Sequence, residues 1–241
     1  MRKIIALLFL TACFTAASSQ TFIIHNGDTI NRRDALGVKQ GLWKRYYKTD
    51  TLLSERFFKD GKPFGVFKTF YPDGKLQSHL TYRKNSSGAD MLIYLGNGKV
   101  KAKGKYIEQN KDSVWNYFND EEKIISVESF KNGVNDGVWI NYYENGNVSR
   151  EVTWKSGKKN GAYKEYFEDG KLKLSSAMKN NDLDGITIIY HPEGTMWMKG
   201  IYKNGLREGT WNIFKADGSK ETDEVYKNGN LIGPKKPEVK Q

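Results

Sequence analysis

From Gly41 onward the chain returns to a small residue at a fixed step of 24: Gly65, Ala89, Ser113, Gly137, Gly161, Gly185, Gly209 and Gly233, with no insertion anywhere. Such self-similarity marks a repeat architecture, in which one short unit cannot bury its own apolar face and must stack on its neighbours. Numbering each unit from 0 at the small residue brings other columns into line. Position 5 is always aromatic (Tyr46, Phe70, Tyr94, Phe118, Tyr142, Tyr166, Tyr190, Phe214). Position 17 reads Phe58, Tyr82, Tyr106, Phe130, Trp154, Met178, Tyr202 and Tyr226. Position 2 carries Trp43, Phe67, Met91, Trp115, Trp139, Tyr163 and Trp211, with Thr187 the exception. Position 11 is apolar from Leu52 to Met196 and fails only at Lys220.

Two turn signals punctuate each unit. Positions 8 and 9 read Asp73-Gly74, Asn97-Gly98, Asn145-Gly146, Asp169-Gly170, Glu193-Gly194 and Asp217-Gly218, and these predict a two-residue hairpin turn with positive φ. A second, longer turn is expected near position 20, at Gly61, Asn85, Gly133, Gly157, Asn181, Gly205 and Gly229. Centring the hairpin on positions 8 and 9 puts 6 opposite 11, 4 opposite 13 and 2 opposite 15. Positions 2, 4, 6, 11, 13, 15 and 17 then share one apolar face. Position 5 breaks that alternation. Either a bulge turns it inward or it forms an aromatic ladder between units, and the ladder is the favoured expectation. The fold class that follows is all-β: one elongated antiparallel sheet of stacked β-hairpin repeats over 41–232, ~80 Å long at two strands per unit. Residues 20–40 read as an N-terminal cap and 233–241 as a flexible basic tail.

The first 19 residues have the basic start, apolar stretch and small-residue end of a secretory signal peptide. Cleavage after Ser19 is the first expectation. Leu10-Thr11-Ala12-Cys13 also resembles a lipobox, so lipidation at Cys13, the sole cysteine, is the rival. Either way the expected location is exported: periplasmic, secreted or associated with an outer membrane. No later apolar run is long enough to span a membrane as a helix.

Units such as Lys131-Asn132-Gly133 before Gly137-Val138-Trp139 and Tyr142-Tyr143-Glu144-Asn145-Gly146 resemble MORN-type repeats, in particular the bacterial, antitoxin-like MORN variant. The resemblance covers about 41–232. It implies a twisted antiparallel sheet used in protein association, with lipid-headgroup binding proposed for some members.

Chemistry of the catalytic kind is hard to find. His25, His79 and His191 fall in unrelated columns, and no phosphate-cradling loop or nucleophile elbow is present. The carboxylates Asp112, Asp136, Asp184 and Glu208 recur at position 23 and read as turn chemistry. No catalytic residue, metal site or cofactor is expected. Candidate binding residues are the aromatics Trp43, Tyr46, Phe70, Trp115, Trp139, Tyr142, Tyr166, Tyr190 and Trp211, which carry the side chains typical of interface anchors. The net charge of +11 directs attention to position 18, where Lys59, Arg83, Lys131, Lys155, Lys179, Lys203 and Lys227 form a basic row. A non-enzymatic scaffold binding a protein partner, or another copy of itself, is the leading expectation. Binding of an anionic envelope polymer, glycan or lipid headgroup is the alternative, and nucleic acid is disfavoured for an exported chain.

Overall fold

The computed structural model describes residues 19–83 and 87–235. The expected signal segment up to residue 18, Cys13 with it, and the last six residues lie outside the described part. Within it there is no helix, and 21 strands form one antiparallel sheet paired in chain order, except that two strands are each broken into a short and a longer piece that both pair with the strand before them. β1 (Thr21–His25) and β2 (Asp28–Arg33) make the opening hairpin. The repeats follow as β3 (Lys39–Tyr46) with β4 (Leu52–Lys59), β5 (Lys62–Phe70) with β6 (Leu76–Tyr82), and β7 (Gly88–Tyr94) with β8 (Val100–Ile107). Next come β9 (Asn110–Phe118) with β10 (Ile124–Lys131), then β11 (Val134–Asn135) and β12 (Gly137–Tyr142) with β13 (Val148–Lys155). β14 (Lys158–Tyr166) pairs with β15 (Leu172–Lys179), and β16 (Asp182–Leu183) and β17 (Gly185–Tyr190) lead to β18 (Met196–Lys203). β19 (Leu206–Phe214), β20 (Lys220–Lys227) and β21 (Asn230–Lys235) close the sheet. Gly233, Pro234 and Lys235, read from sequence as the start of a tail, pair with Val225, Glu224 and Asp223.

The two turns exchange the roles expected of them. The two-residue turn lies at positions 19 and 20, where both residues have positive φ: Asp60 and Gly61, Asn132 and Gly133, Asn204 and Gly205, Asn228 and Gly229. Their flanks pair directly, as in Lys59 with Lys62 and Lys203 with Leu206. Two left-handed residues in a row give the twist that joins adjacent strands most tightly. At positions 7 to 9 the loop has three residues, and of positions 8 and 9 only 9 is left-handed. Gly74 N–H donates to Tyr71 O at 2.9 Å, and Tyr71 N–H donates to Lys75 O at 2.8 Å. The Asp or Asn at position 8 braces the loop with its side chain, since Asp73, Asn97, Asn145, Asp169 and Asp217 each accept the N–H two residues on. An Asp-Gly pair serves either geometry, which is why the dipeptide alone misplaced the two-residue turn.

That loop shifts the register. Tyr46 opposes Leu52, then one residue of the return strand is skipped, and Arg45 opposes Ser54, Trp43 opposes Arg56 and Gly41 opposes Phe58. The same bulge recurs in every repeat hairpin. Positions 2, 4, 13, 15 and 17 therefore share a face as expected. Positions 5 and 11 go together to the opposite face, and position 6 begins the loop. The favoured aromatic ladder does not form. Like positions in successive units lie two strands apart, ~10 Å, beyond the 4.5–7 Å reach of ring pairs.

A second bulge explains the small residue at position 0. Between units, Gly65, Val66 and Phe67 together oppose Arg56, and Gly65 has φ of 70°. Ser113 takes φ of 58° at the equivalent place. Ala89 has no bulge: Tyr82 pairs with Ala89 and Leu80 with Met91 in unbroken register. The third unit therefore runs straight where its neighbours kink.

Candidate functional site

The face bearing positions 2, 4, 13, 15 and 17 collects the buried side chains of the repeats, among them Phe58, Ala102, Trp115, Val152, Met178, Met198, Trp211 and Ile213. A single sheet buries rings by laying them over glycine. Trp115 and Trp211 are 0% exposed, and each sits over a glycine of the preceding strand. A Cβ on Gly104 or Gly200 would come within 2.2 Å of the indole. Position-17 rings then meet the indoles edge-on, Tyr106 with Trp115 at 5.2 Å and Tyr202 with Trp211 at 5.1 Å.

A cation at position 22 closes these clusters, a column to which the sequence reading assigned no role. Lys39 Nζ lies 4.7 Å from the Trp43 centroid and 4.9 Å from Phe58. Lys111 Nζ lies 4.5 Å from Trp115 and 5.0 Å from Phe130, and donates to Tyr117 Oη at 2.7 Å. Arg207 lies 4.5 Å from Trp211 and 5.1 Å from Tyr226. Burial opposes the charge of Arg207, but hydrogen bonds with Tyr202 and Tyr226 outweigh it and hold the guanidinium above its ordinary pKa. The signal that could have found these residues is a Lys or Arg four places before a Trp, which holds at Lys39, Lys111 and Arg207 and suits cation–π contact.

Position 22 carries no cation in the first and second units, at Pro63 and Ser87, nor further along at Asn135 and Leu183. Four residues after Pro63 and Ser87, position 2 of the next unit is also smaller or more flexible, Phe67 and Met91 in place of Trp. The face consequently opens into a groove of about 700 Å³ lined by Phe58, Phe67, Leu80, Tyr82, Met91 and Tyr106. Lys39, Arg56 and Lys62 also border it, against one carboxylate, Glu108. Arg56 lies flat on Phe67, 3.7 Å from its centroid. Burial pushes the Tyr106 phenol above its ordinary pKa. A smaller hollow of about 440 Å³ lies further along, bordered by Phe167, Lys173, Tyr190, His191 and Trp197. Trp197 is 43% exposed and stacks 5.8 Å from His191.

The candidate aromatics divide between the faces. Trp43, Trp115, Trp139 and Trp211 stand on the aromatic face, where Trp115 and Trp211 have no surface to offer a partner and act as packing. Trp139 is half-buried against Trp154 at 5.0 Å. Tyr46, Phe70, Tyr142, Tyr166 and Tyr190 lie half-buried on the opposite face, Tyr46 against His25 at 4.1 Å. None of the nine lines the larger groove, and Tyr190 borders the smaller one. The position-6 tyrosines are ties between units: Tyr47, Tyr71 and Tyr143 each donate to the position-5 carbonyl of the next unit.

The basic row at position 18 is exposed throughout, from Lys59 through Lys131, Lys155, Lys179 and Lys203 to Lys227. Arg83 differs, since it holds Asp90 through two hydrogen bonds of 2.9 and 2.6 Å. The position-23 carboxylates cap the following two-residue turn: Asp136 accepts Ser156 N–H at 3.0 Å, Asp184 accepts Asn204 N–H at 3.1 Å and Glu208 accepts Asn228 N–H at 2.8 Å. Two histidines are likewise engaged, His79 with Thr81 and His191 with Phe214 O.

The sequence model of the MORN repeat variant matches residues 39–60, 65–84, 135–156, 159–180 and 183–204. No curated protein sequence matches the chain. Among solved structures, a crystal structure of TarM is similar at 16% identity and a TM-score of 0.29, covering 40% of this chain and 18% of TarM. The Photorhabdus luminescens Tc holotoxin pore is similar at 11% identity and a TM-score of 0.18, covering 82% of this chain and 14% of its own. The chain thus spans less than a fifth of either protein, and likeness at these scores carries no functional argument.

Proposed function

This chain is a MORN-type repeat protein, and from that premise we propose that it is an exported, non-enzymatic scaffold that holds a protein partner on the aromatic face of its sheet. Repeats of this kind bind proteins or lipids. The observation that carries the protein reading is the groove across the first three units, where the row of indoles and capping cations is interrupted and rings stand open. Aromatic side chains with a guanidinium beside them are the usual anchors of a protein interface. The position-23 carboxylates and the cations Lys39, Lys111 and Arg207 serve turn and packing roles that recur along the chain, which suits a surface for binding better than a centre for catalysis.

The test is capture from an envelope extract after crosslinking, with the wild-type chain beside a Phe67→Ala, Tyr106→Ala double variant. Recovery of a discrete protein by the wild type and its loss in the variant is the expected result. Equal recovery by both would remove the groove from the reading.

A second reading rests on the exposed position-18 lysines and the Trp197 platform, which suit an anionic envelope polymer or glycan. Sedimentation with cell-wall polymer tests it. Retention should fall with added salt and with neutralisation of Lys131, Lys155 and Lys179 together.

A further inference from the structure

Building on the scaffold reading, we infer that the groove of the first three units takes an acidic segment of the partner, with carboxylates on Lys39, Arg56 and Lys62 and an apolar or aromatic side chain between Phe67 and Tyr106. Four observations converge on that chemistry. First, with Pro63 and Ser87 at position 22 no cation lies over the half-buried rings of Tyr82 and Tyr106, whereas Lys39, Lys111 and Arg207 lie over the position-17 rings Phe58, Phe130 and Tyr226. Second, the groove's cations are not neutralised: Lys39, Arg56 and Lys62 form no ion pair among the described residues, whereas Arg83, on the adjoining strand end, is locked to Asp90. Third, the hydroxyls of Tyr82 and Tyr106 have no hydrogen-bond partner among the described residues, although Tyr117, Tyr163 and Tyr226 on the same face all have one. Two unused phenols beside three unpaired cations present donors and charge to an anion. Fourth, Phe58, Leu80 and Met91 give the wall an apolar lining. A bare phosphate polymer would gain nothing from it, whereas a peptide has side chains to fill it.

The charge of the lining also excludes the converse. A lysine or arginine from a partner, filling the kind of place that Lys111 occupies over Trp115, would approach three cations against Glu108 alone. Arg56 already covers Phe67.

The experiment uses the full chain and fluorescein-labelled eight-residue peptides in which Asp and Glu flank a central Phe or Leu, beside the same peptides with Lys in place of the acids. Soluble polyphosphate serves as the third probe. Binding of the acidic peptides, weakening at least tenfold as salt is raised and on Arg56→Gln or Lys62→Glu, is expected. Lys62 is exposed in β5, so that substitution leaves the fold intact. Lys203→Glu, in the exposed row away from the groove, should leave binding unchanged. Equal binding of the lysine peptides, insensitivity to Arg56→Gln and Lys62→Glu, or binding of polyphosphate alone would overturn the inference. If crosslinked capture of an envelope protein needs Phe67 and Tyr106 but ignores Arg56 and Lys62, the scaffold reading stands and the acidic segment falls.

Discussion

At the scale of single residues, the packing of this sheet depends on what is absent as much as on what is present. Gly104 and Gly200 carry no side chain because an indole occupies the space one would take. Gly104→Ala and Gly200→Ala should each cost about 1–3 kcal/mol by overpacking. Urea unfolding checks this, with Gly233→Ala as the control, since nothing lies within 4 Å of a Cβ there. Tyr163 makes a second case. Burial, reinforced by a hydrogen bond to Glu165, pushes its phenol pKa up to about 12. The folded chain therefore keeps a proton that the unfolded chain loses above about pH 10. Its contribution is fully present below pH 10 and is lost as pH rises toward 12. Thermal melts between pH 9 and 12 should show a falling Tm, and Tyr163→Phe should make that fall shallower.

At the scale of the element, the hairpins show how a dipeptide can be read correctly as a turn and wrongly as a turn type. Asn-Gly and Asp-Gly mark positions 8 and 9 plainly. Whether the loop has two residues or three depends on the strand pairing that closes it, and that pairing also decides where position 5 points. The two-residue turns at positions 19 and 20 are held in turn by the unit before them, through the position-23 carboxylate. Asp184→Ala removes the acceptor of Asn204 N–H and should cost about 0.5–1.5 kcal/mol, measured by chemical denaturation. Asp182→Ala, two residues away, makes no such bond and should cost less.

At the scale of the whole molecule, each unit touches only its neighbours, so the chain behaves as a row of coupled units. Deleting residues 161–184 joins like position to like and should leave a folded sheet, with the dependence of stability on urea reduced by about an eighth. Deleting 161–172 instead would join strands across unlike turns and reverse the faces. Far-ultraviolet circular dichroism should show loss of strand in the shorter deletion alone. The candidate groove belongs to this scale. The sequence shows a departure at Pro63, at Ser87 and at Met91, one in each of the first three units. That the departures at Pro63, Ser87 and Met91 meet on one face, beside Arg56, depends on register between units.

The sequence by itself determined the period, the all-β class, the positions of both turns and the membership of most of one face, because these follow from glycine's backbone freedom and from the alternation of side chains along a strand. Only the tertiary structure decided the turn types, the side taken by the position-5 aromatics, the burial of Trp115 and Trp211, and the opening of the groove. Each of those depends on register, and a bulge, present or missing, sets by one residue the register between strands that are neighbours in space. No column of the repeat records that count; the paired strand does.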